Sequence, residues 1–260
     1  MTADSQPTIA PHRIYKSRRY QLWLLFQRFF AIFMLVFLSP LFLILYILVK
    51  TTSKGPFFYC QERDGFRGQK FKVWKIRSMR PGSDKNKSLG LGVTSSSPEV
   101  TRVGKVLRKL KMDELPQLWN VVLGQMEFVG PRPIAPILYE KIGAESPDFK
   151  NRRLSVRPGL TNLGQVSIED NETGDSLMLD WEFRNETEYH YLEHKSIPYD
   201  IILMGHTFLF LLRKAGLRLP FGKKSAPAVS FPSESKQTPG VLGPADPVHD
   251  TKDAPAPGNG

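Results

Sequence analysis

A long apolar run near the N-terminus, from Phe29 to Val49, is the strongest pattern in the chain. It matches the roughly 20 residues that a helix needs to cross the hydrocarbon core of a bilayer. A cleaved signal sequence has a shorter apolar core followed by small residues, and this run has neither feature. We therefore predict a retained membrane helix over residues 20–50, preceded by a basic N-terminal tail over residues 1–19.

Ser39 and Pro40 interrupt this helix near its middle, and basic residues flank it on both sides. Because a spanning helix normally carries its positive charge at the cytoplasmic end, charge at both ends favours a segment that enters and leaves the same leaflet. A proline can break a helix at such a point. Hydropathy alone favours the other interpretation, a straight span with a tolerated proline kink. The flanking basic residues are Arg13, Lys16, Arg18, Arg19, Lys50, Lys54, Arg63 and Arg67.

The pattern changes after Gly55 to short β-like runs and then to helical spacing. Runs at Phe57 to Gln61 and Phe71 to Arg77 flank glycine turns and predict a β-hairpin. Between Val100 and Lys111, apolar residues recur at helical spacing on an otherwise basic surface, which predicts an amphipathic helix. Such a helix either lies in the membrane interface or packs on the core with a solvated charged face.

The rest of the chain predicts further short elements and two tails of different kind. A helix is expected from Pro116 to about Leu123, an extended run at Gln125 to Val129, and helical structure from Ile134 to Arg153 broken at Ser146-Pro147. A final amphipathic helix contains Ile201, Leu203, Phe208 and Leu211. The fold class is thus α/β (α+β) and membrane-associated. Its small cytoplasmic domain covers residues 51–220, and a disordered Pro/Gly/Ser-rich tail covers residues 221–260.

Composition limits the partners of this domain. The 260 residues, 41% of them hydrophobic, suffice for one ordinary domain with a membrane segment and tails. A formal net charge of +11 suggests an anionic partner such as phospholipid headgroups, a nucleotide diphosphate or nucleic acid. Nucleic acid is disfavoured, because the basic residues are spread around apolar elements and no binding motif is present. The single cysteine, Cys60, excludes an intramolecular disulfide and a cysteine-based zinc site.

The candidate chemistry lies at Asp113 and Glu114, directly before a helix that Pro116 can begin. Free N–H groups and the positive end of the helix dipole favour a phosphate there. Arg108 precedes the pair. One carboxylate, a second carboxylate able to hold a divalent cation, and an arginine for phosphate are the minimal parts of a phosphoryl-transfer site with an aspartyl-phosphate intermediate. The alternative is that the acidic pair merely caps the helix.

Three motifs in order resemble the bacterial sugar transferase family, the monotopic polyprenyl-phosphate phosphoglycosyl transferases, in their short form. They are Asp113 to Gln117, Phe128 to Pro133, and Arg157 to Thr161, within a resemblance from about Tyr20 to Leu217. The resemblance implies transfer of a phosphosugar from a UDP-sugar to undecaprenyl phosphate at the cytoplasmic face of the bacterial inner membrane. It also implies that the Ser39-Pro40 break belongs to a re-entrant helix.

The resemblance assigns roles to individual residues. Asp113 is implied as the nucleophile, with release of UMP, and Glu114 as the ligand of Mg²⁺ or Mn²⁺. The residues implied in binding the diphosphate or nucleotide are Lys75, Arg108, Pro131, Arg132, Pro133, Arg157 and Asp200. The chain departs from the family pattern at Gln125 and Glu127, where Asp and Ser are usual, at Asn162 to Gly164, and at Glu188, where Asp is typical.

The expected partners are therefore a UDP-sugar, undecaprenyl phosphate and membrane phospholipid, and not nucleic acid. The sequence leaves open a homodimer, the identity of the sugar and the polysaccharide or glycoprotein pathway. A competing hypothesis from another class is a non-catalytic membrane-associated scaffold or regulator of polysaccharide assembly, whose basic surface only holds acidic lipid. That hypothesis predicts that the two carboxylates are dispensable.

Overall fold

The computed structural model describes residues 9–83, 97–164 and 187–217. The sequence also predicts a loop rich in Ser, Gly, Lys and Asn from Pro81 to Pro98 and an acidic surface insertion between Ser167 and Glu186. Most of that loop, the insertion and the predicted tail over residues 221–260 lie outside the described residues.

Two helices separated by a break form the predicted membrane segment. A 3-10 turn, Arg13–Lys16, leads into α1, Arg18–Phe37, and then α2, Ser39–Thr52. The break falls where expected, because Pro40 has no N–H to continue the ladder and its ring would clash with the preceding turn. By length and composition α1 could cross a membrane, with a mean hydropathy of 1.5. The break is confirmed, and re-entry into one leaflet stays a prediction.

The predicted hairpin is confirmed. Strands β1, Phe58–Asp64, and β2, Lys70–Ile76, pair antiparallel, with Phe58 opposite Ile76 at the open end. Phe71 and Val73 of β2 share one buried face, which joins the hairpin to the core, and Ile76 on the other face is buried in a separate apolar cluster with Leu45 and Leu107.

Helix α3, Arg102–Lys109, occupies most of the predicted amphipathic segment. It begins where the Thr101 hydroxyl accepts a hydrogen bond from the Gly104 N–H at 2.9 Å, an N-cap of the usual kind. A 3-10 turn, Met112–Glu114, then leads to α4, Gln117–Val122, which ends before Gly124 as predicted.

A short parallel strand pair was not predicted. Strand β3, Glu127–Val129, lies beside β4, Gly159–Thr161, and the connection between them contains α5, Pro136–Glu145, and α6, Pro147–Leu154. A helical segment at residues 187–194 (α7) and the long helix α8, Ile197–Lys214, follow. The described part of the chain is thus a mixed fold of helices and two small sheets.

The N-terminal helices contribute both to the core and to an apolar surface. Buried Ala31 of α1 joins a core cluster with Val73, Leu118, Val129 and Leu203. The opposite sides of α1 and α2 expose large apolar side chains in a number unusual for a water-facing surface, which fits membrane association. They include Leu22, Phe26, Phe29, Phe33, Val36, Phe37, Leu43, Ile44 and Ile47.

Candidate active site

Asp113 and Glu114 lie on the 3-10 turn between α3 and α4, and both are buried, with 8% and 6% of their surface exposed. The turn begins at Lys111, whose φ of 56° places it in the left-handed region and ends the preceding helix. Pro116 then starts α4. Two acidic side chains are therefore held below the surface by local backbone structure, although burying a charge is costly unless it is paired.

Two cations from distant parts of the chain compensate Glu114. The Lys75 ammonium of β2 lies 3.2 Å from Glu114 Oε1, and the Arg132 guanidinium, in the loop after β3, lies 2.9 Å from the same oxygen. Both basic side chains remain partly exposed, at 26% and 35%. The hairpin, the acidic turn and the proline-flanked loop thus converge on one carboxylate.

The two adjacent carboxyl groups have opposite pKa shifts. Burial raises the pKa of Glu114, but Arg132, Lys75 and Lys111 together lower it well below its ordinary value. Burial also raises the pKa of Asp113, the charge of Glu114 raises it further, and the nearby Lys75, Lys111 and Arg108 only partly oppose this. Neighbouring acids whose pKa values are driven apart are typical of catalytic pairs with different roles.

Arg108 approaches the pair from α3. Its Nε donates a hydrogen bond to the Ser78 hydroxyl at 2.9 Å, and its charge is among those acting on Asp113. The helix lies this close only because residue 104 is glycine, since a Cβ there would be 1.9 Å from the Ser78 carbonyl oxygen. The structure therefore brings together Lys75, Arg108, Asp113, Glu114 and Arg132.

Pro131 and Pro133 flank Arg132, as the sequence implied, but two further residues hold its backbone. The Arg132 N–H donates to Glu188 Oε1 at 3.2 Å, and Arg153 donates to the Arg132 carbonyl oxygen at 2.7 Å. The sequence marks Glu188 only as a departure from the family's typical Asp and does not single out Arg153. No sequence signal distinguishes Arg153 from its exposed neighbour Arg152.

Arg157 and Asp200, also predicted to bind substrate, lie away from Glu114 in a second buried group around Glu127. We call this group the Glu127 cluster: it comprises Tyr15, Tyr20, Glu127, Arg157, Tyr191, Lys195 and Asp200. Arg157 Nη1 lies 3.9 Å from Glu127 Oε1, and its guanidinium covers the rings of Tyr15 and Phe66 at 5.2 and 5.1 Å. Asp200 accepts a hydrogen bond from the Tyr191 hydroxyl at 2.8 Å. Substrate contact by these two residues stays a prediction.

Glu127 is the acceptor at the centre of that cluster. Tyr15 and Tyr20 donate to its two carboxylate oxygens at 2.5 and 2.6 Å, and Lys195 donates at 3.1 Å. The side chains of Glu127 and Lys195 are 1% and 0% exposed. Glu127 is therefore a buried charge that three donors within this chain stabilise.

The donor set at the acidic turn fits a hard divalent cation. Within residues 9–83, 97–164 and 187–217, no three His, Cys, Asp or Glu side chains lie close enough together to hold a metal ion by themselves. Mg²⁺ needs no such cage, because it is usually bound by one or two carboxylates together with substrate phosphates and water. Glu114, with Asp113 beside it, offers that kind of oxygen ligand.

A cavity of about 80 Å³ adjoins Glu114. Lys111 and Glu114 provide its charged wall, while Leu160 of β4 and Phe210 and Leu211 of α8 provide an apolar wall. The space beside the carboxylates thus suits a ligand that is charged at one end and apolar at the other.

Comparison with known proteins identifies the family. A model of the bacterial sugar transferase family matches residues 19–214. The UDP-glucose:undecaprenyl-phosphate glucose-1-phosphate transferase of Klebsiella pneumoniae is 42% identical over 139 residues, which are 54% of this chain and 29% of that protein. The UDP-N-acetylgalactosamine-undecaprenyl-phosphate N-acetylgalactosaminephosphotransferase of Aeromonas hydrophila is 32% identical over 188 residues, 72% of this chain and 43% of that protein.

A relative of more similar length is the exopolysaccharide production protein ExoY of Sinorhizobium fredii, 34% identical over 195 residues. That alignment covers 70% of this chain and 81% of the relative, whereas the chain spans less than half of the two transferases above. The family match includes the acidic turn, the Pro-Arg-Pro loop and both N-terminal helices. The chain therefore belongs to the bacterial sugar transferase family.

Proposed function

We propose that this chain transfers a sugar-1-phosphate from a UDP-sugar to undecaprenyl phosphate and releases UMP. This would be the first membrane step in assembling a bacterial polysaccharide or glycoconjugate. The observation that carries the proposal is the buried Asp113-Glu114 pair, in which two cations hold Glu114 ionised while Asp113 remains the more basic carboxylate. A pair that merely capped a helix would not need cations from β2 and from the loop after β3.

In the first step, an oxygen of Asp113 attacks the phosphorus that carries the sugar. The bond from that phosphorus to the bridging oxygen breaks, and UMP leaves with the electron pair, so that a phosphosugar remains bound to Asp113 as an acyl phosphate. The positive groups around the site, Lys75, Arg108 and Arg132, stabilise the charge that develops on the phosphoryl oxygens. Arg132 suits this role because its planar guanidinium can bind phosphate through two parallel hydrogen bonds.

In the second step, a phosphate oxygen of undecaprenyl phosphate attacks the same phosphorus. The bond to Asp113 breaks, its carboxylate is regenerated, and the lipid-linked diphosphosugar forms. The cavity beside Glu114 supports this step, because a phosphate there would lie beside Lys111 and the first carbons of its lipid chain beside Phe210.

Glu114 is the residue that would hold Mg²⁺ or Mn²⁺, together with phosphate oxygens of the donor. When bound, the ion would neutralise charge on the diphosphate and on the departing UMP. Lys75 and Arg132, at 3.2 and 2.9 Å from Glu114, would place positive charge beside the same phosphates.

The lipid acceptor places the reaction at a membrane, for which we propose the cytoplasmic face of the bacterial inner membrane. The exposed apolar surfaces of α1 and α2 would lie among phospholipid chains, and the helix break at Pro40 would return the chain to the side from which it entered. The basic residues that flank both helices favour this arrangement over a single crossing.

The test is UMP release by the chain in nanodiscs, with undecaprenyl phosphate, Mg²⁺ and a panel of UDP-sugars that includes UDP-glucose and UDP-N-acetylgalactosamine. The unchanged protein should release UMP with at least one donor. Asp113→Asn should abolish release, because an amide cannot form the acyl phosphate. Asp148→Asn is the matched control, since Asp148 is exposed and pairs with Arg152 at 2.7 Å.

The covalent step has its own readout. Without lipid acceptor, the unchanged protein should release one burst of UMP and gain the mass of one phosphosugar, and Asp113→Asn should do neither. Turnover by Asp113→Asn at the unchanged rate would exclude the covalent route. Absence of UMP release with every donor, from folded protein, would favour the non-catalytic scaffold hypothesis.

A further inference from the structure

The orientation of Arg132 is not explained by the prolines on either side of it. Proline fixes its own φ near −65°, and it restricts the residue before it to extended conformations. Pro131 therefore sets its own backbone, and Pro133 narrows the range open to Arg132 without selecting one conformation. Something else must hold the backbone that directs this guanidinium to Glu114 Oε1 at 2.9 Å.

Arg153 and Glu188 hold the peptide groups on both sides of Arg132. Glu188 Oε1 accepts the Arg132 N–H at 3.2 Å, and Arg153 Nη2 donates to the Arg132 carbonyl oxygen at 2.7 Å. Arg153 Nη1 pairs with the second oxygen of Glu188, which closes the ring of contacts. Because one hydrogen bond fixes the plane before Arg132 and another the plane after it, the ring restricts both backbone angles of that residue.

The two members of the pair are themselves held in place. Their side chains are 1% and 6% exposed. The guanidinium of Arg153 lies 5.5 Å from the ring centre of Tyr139 and 5.6 Å from that of Phe149, and its Nε donates to the Tyr139 hydroxyl at 3.4 Å. Lysine could not make these contacts together, because it lacks the planar fork of donors.

We propose that Arg153 and Glu188 are positioning residues that direct Arg132 to the site where the donor diphosphate binds. The proposal rests on the proposed function only for the identity of that ligand. The pair touches neither reacting atom, and it acts through the backbone of Arg132. Its loss would leave the Arg132 guanidinium present but misdirected, and a displacement of about 1 Å in a catalytic group can lower a rate about a hundredfold.

A first test measures the backbone directly and needs no substrate. Within Pro131-Arg132-Pro133 only Arg132 has an amide hydrogen, so hydrogen exchange of this tripeptide reports one N–H group. Arg153→Lys and Glu188→Gln should each accelerate that exchange by about ten- to a hundredfold, as expected when a buried charge-assisted hydrogen bond is lost. Glutamine cannot replace Glu188, because an amide has one acceptor oxygen whereas the carboxylate uses both.

A second test separates positioning from general stability. Arg153→Lys should lower kcat/KM about ten- to a hundredfold in the otherwise unchanged protein, and should have no further effect in an Arg132→Ala background. A purely structural defect would lower kcat/KM by the same factor in the unchanged protein and in the Arg132→Ala variant. Arg152→Lys is the matched control, because Arg152 is the preceding residue of α6, is 48% exposed and contacts Asp148 and Glu193.

The results decide between the alternatives. Faster exchange at Arg132 together with an activity loss that vanishes in the Arg132→Ala background supports positioning. The positioning role is refuted if hydrogen exchange at Arg132 is unchanged in both folded variants. It is also refuted if Arg153→Lys lowers kcat/KM by the same factor with and without Arg132→Ala. If the unchanged protein releases no UMP, the proposed function fails, and the exchange measurement still tests whether the pair holds the Arg132 backbone.

Discussion

Replacing Glu127 by glutamine should destabilise the protein strongly, because this carboxylate is the nearer of two buried counter-charges of Lys195 in the Glu127 cluster. Its side chain is 1% exposed and that of Lys195 is 0% exposed, with 3.1 Å between the charged atoms. Glutamine has almost the same shape and keeps one acceptor oxygen, so that one of the two tyrosine hydrogen bonds can persist. The buried Lys195 ammonium keeps Asp200 at 3.6 Å but loses its nearer partner, which solvent cannot replace.

The expected size follows from that geometry. Removing one partner of a buried ion pair costs about 3–5 kcal/mol, and the retained acceptor puts Glu127→Gln near the lower end, at about 3 kcal/mol. For a domain of this size each kcal/mol lowers the melting temperature by about 2–4 °C, so the midpoint should fall by about 6–12 °C. Thermal unfolding in nanodiscs, followed by tryptophan fluorescence, measures it.

The control is the same substitution in an exposed ion pair. Glu62 lies 3.2 Å from Lys70 across the hairpin, with side chains 53% and 62% exposed. Glu62→Gln should leave the melting temperature unchanged, because exposed ion pairs contribute little to stability. If Glu127→Gln had the same melting temperature as Glu62→Gln and the unchanged protein, the Glu127 cluster would not stabilise the fold and the reasoning would be refuted.

Three further predictions concern other parts of the structure. Burial raises the pKa of Asp200 to about 6, despite Lys195 nearby. The folded carboxyl therefore keeps its proton to higher pH than the unfolded one, and its contribution to stability is lost as pH rises through the window from about 4 to 6. Relative to Asp200→Asn, the free energy of unfolding of the unchanged protein should fall by about 3 kcal/mol as pH rises across that window. If the free energies of unfolding of the two proteins changed with pH in the same way, this prediction would be contradicted. Gly104→Ala should destabilise the protein by about 1–3 kcal/mol and lower activity, because its Cβ would meet the Ser78 carbonyl. Gly205→Ala, also within a helix but with open space at its Cβ, should not destabilise it. Pro40→Ala should join α1 and α2 and move the N-terminus across the membrane; a protease-accessible N-terminal tag that stays cytoplasmic would contradict re-entry through proline.

The elements that the sequence predicted well are those with a local physical cause. The alternation of Phe71 and Val73 with polar neighbours, and the glycines before them, specify a hairpin without reference to the rest of the chain. Pro40 has no N–H to continue the helix ladder, so a break or kink near it follows from that residue alone. The acidic turn was placed correctly because Pro116 can only begin a helix there.

The parts that escaped prediction depend on contacts between residues far apart. The extended run predicted at Gln125 to Val129 contains β3, but its parallel pairing with β4 was not predicted: each strand has three residues, too few for a periodic signal, and the paired positions are 32 residues apart. Arg157 belongs to a motif whose spacing says nothing about which groups its side chain contacts, and the structure places it beside Glu127. Arg153 and Glu188 meet Arg132 only after α5, α6 and α7 have packed.

The parallel strand pair explains how the candidate active site is tied to the membrane segment. Glu127 at the start of β3 accepts hydrogen bonds from Tyr15 and from Tyr20 of α1. The next residue, Phe128, donates its N–H to the side-chain oxygen of Gln27, a buried polar residue of α1, at 2.8 Å. The strand then leads directly into the Arg132 loop. A polar group on a membrane helix needs an internal partner, and here β3 provides it.

That connection has a functional consequence within the proposed reaction. Because α1 is hydrogen-bonded to β3, the distance from the apolar surface of α1 to Arg132 and Glu114 is set by rigid structure rather than by a linker. Gly159 and Gly130 reinforce this, since a Cβ on Gly159 would lie 2.0 Å from the Gly130 nitrogen, and only glycine permits so close an approach between β4 and the start of the loop. A lipid phosphate has little freedom to leave the headgroup layer, so its attack on an enzyme-bound phosphosugar requires a site held at that depth. The buried polar contacts of α1 therefore serve the chemistry as well as the fold.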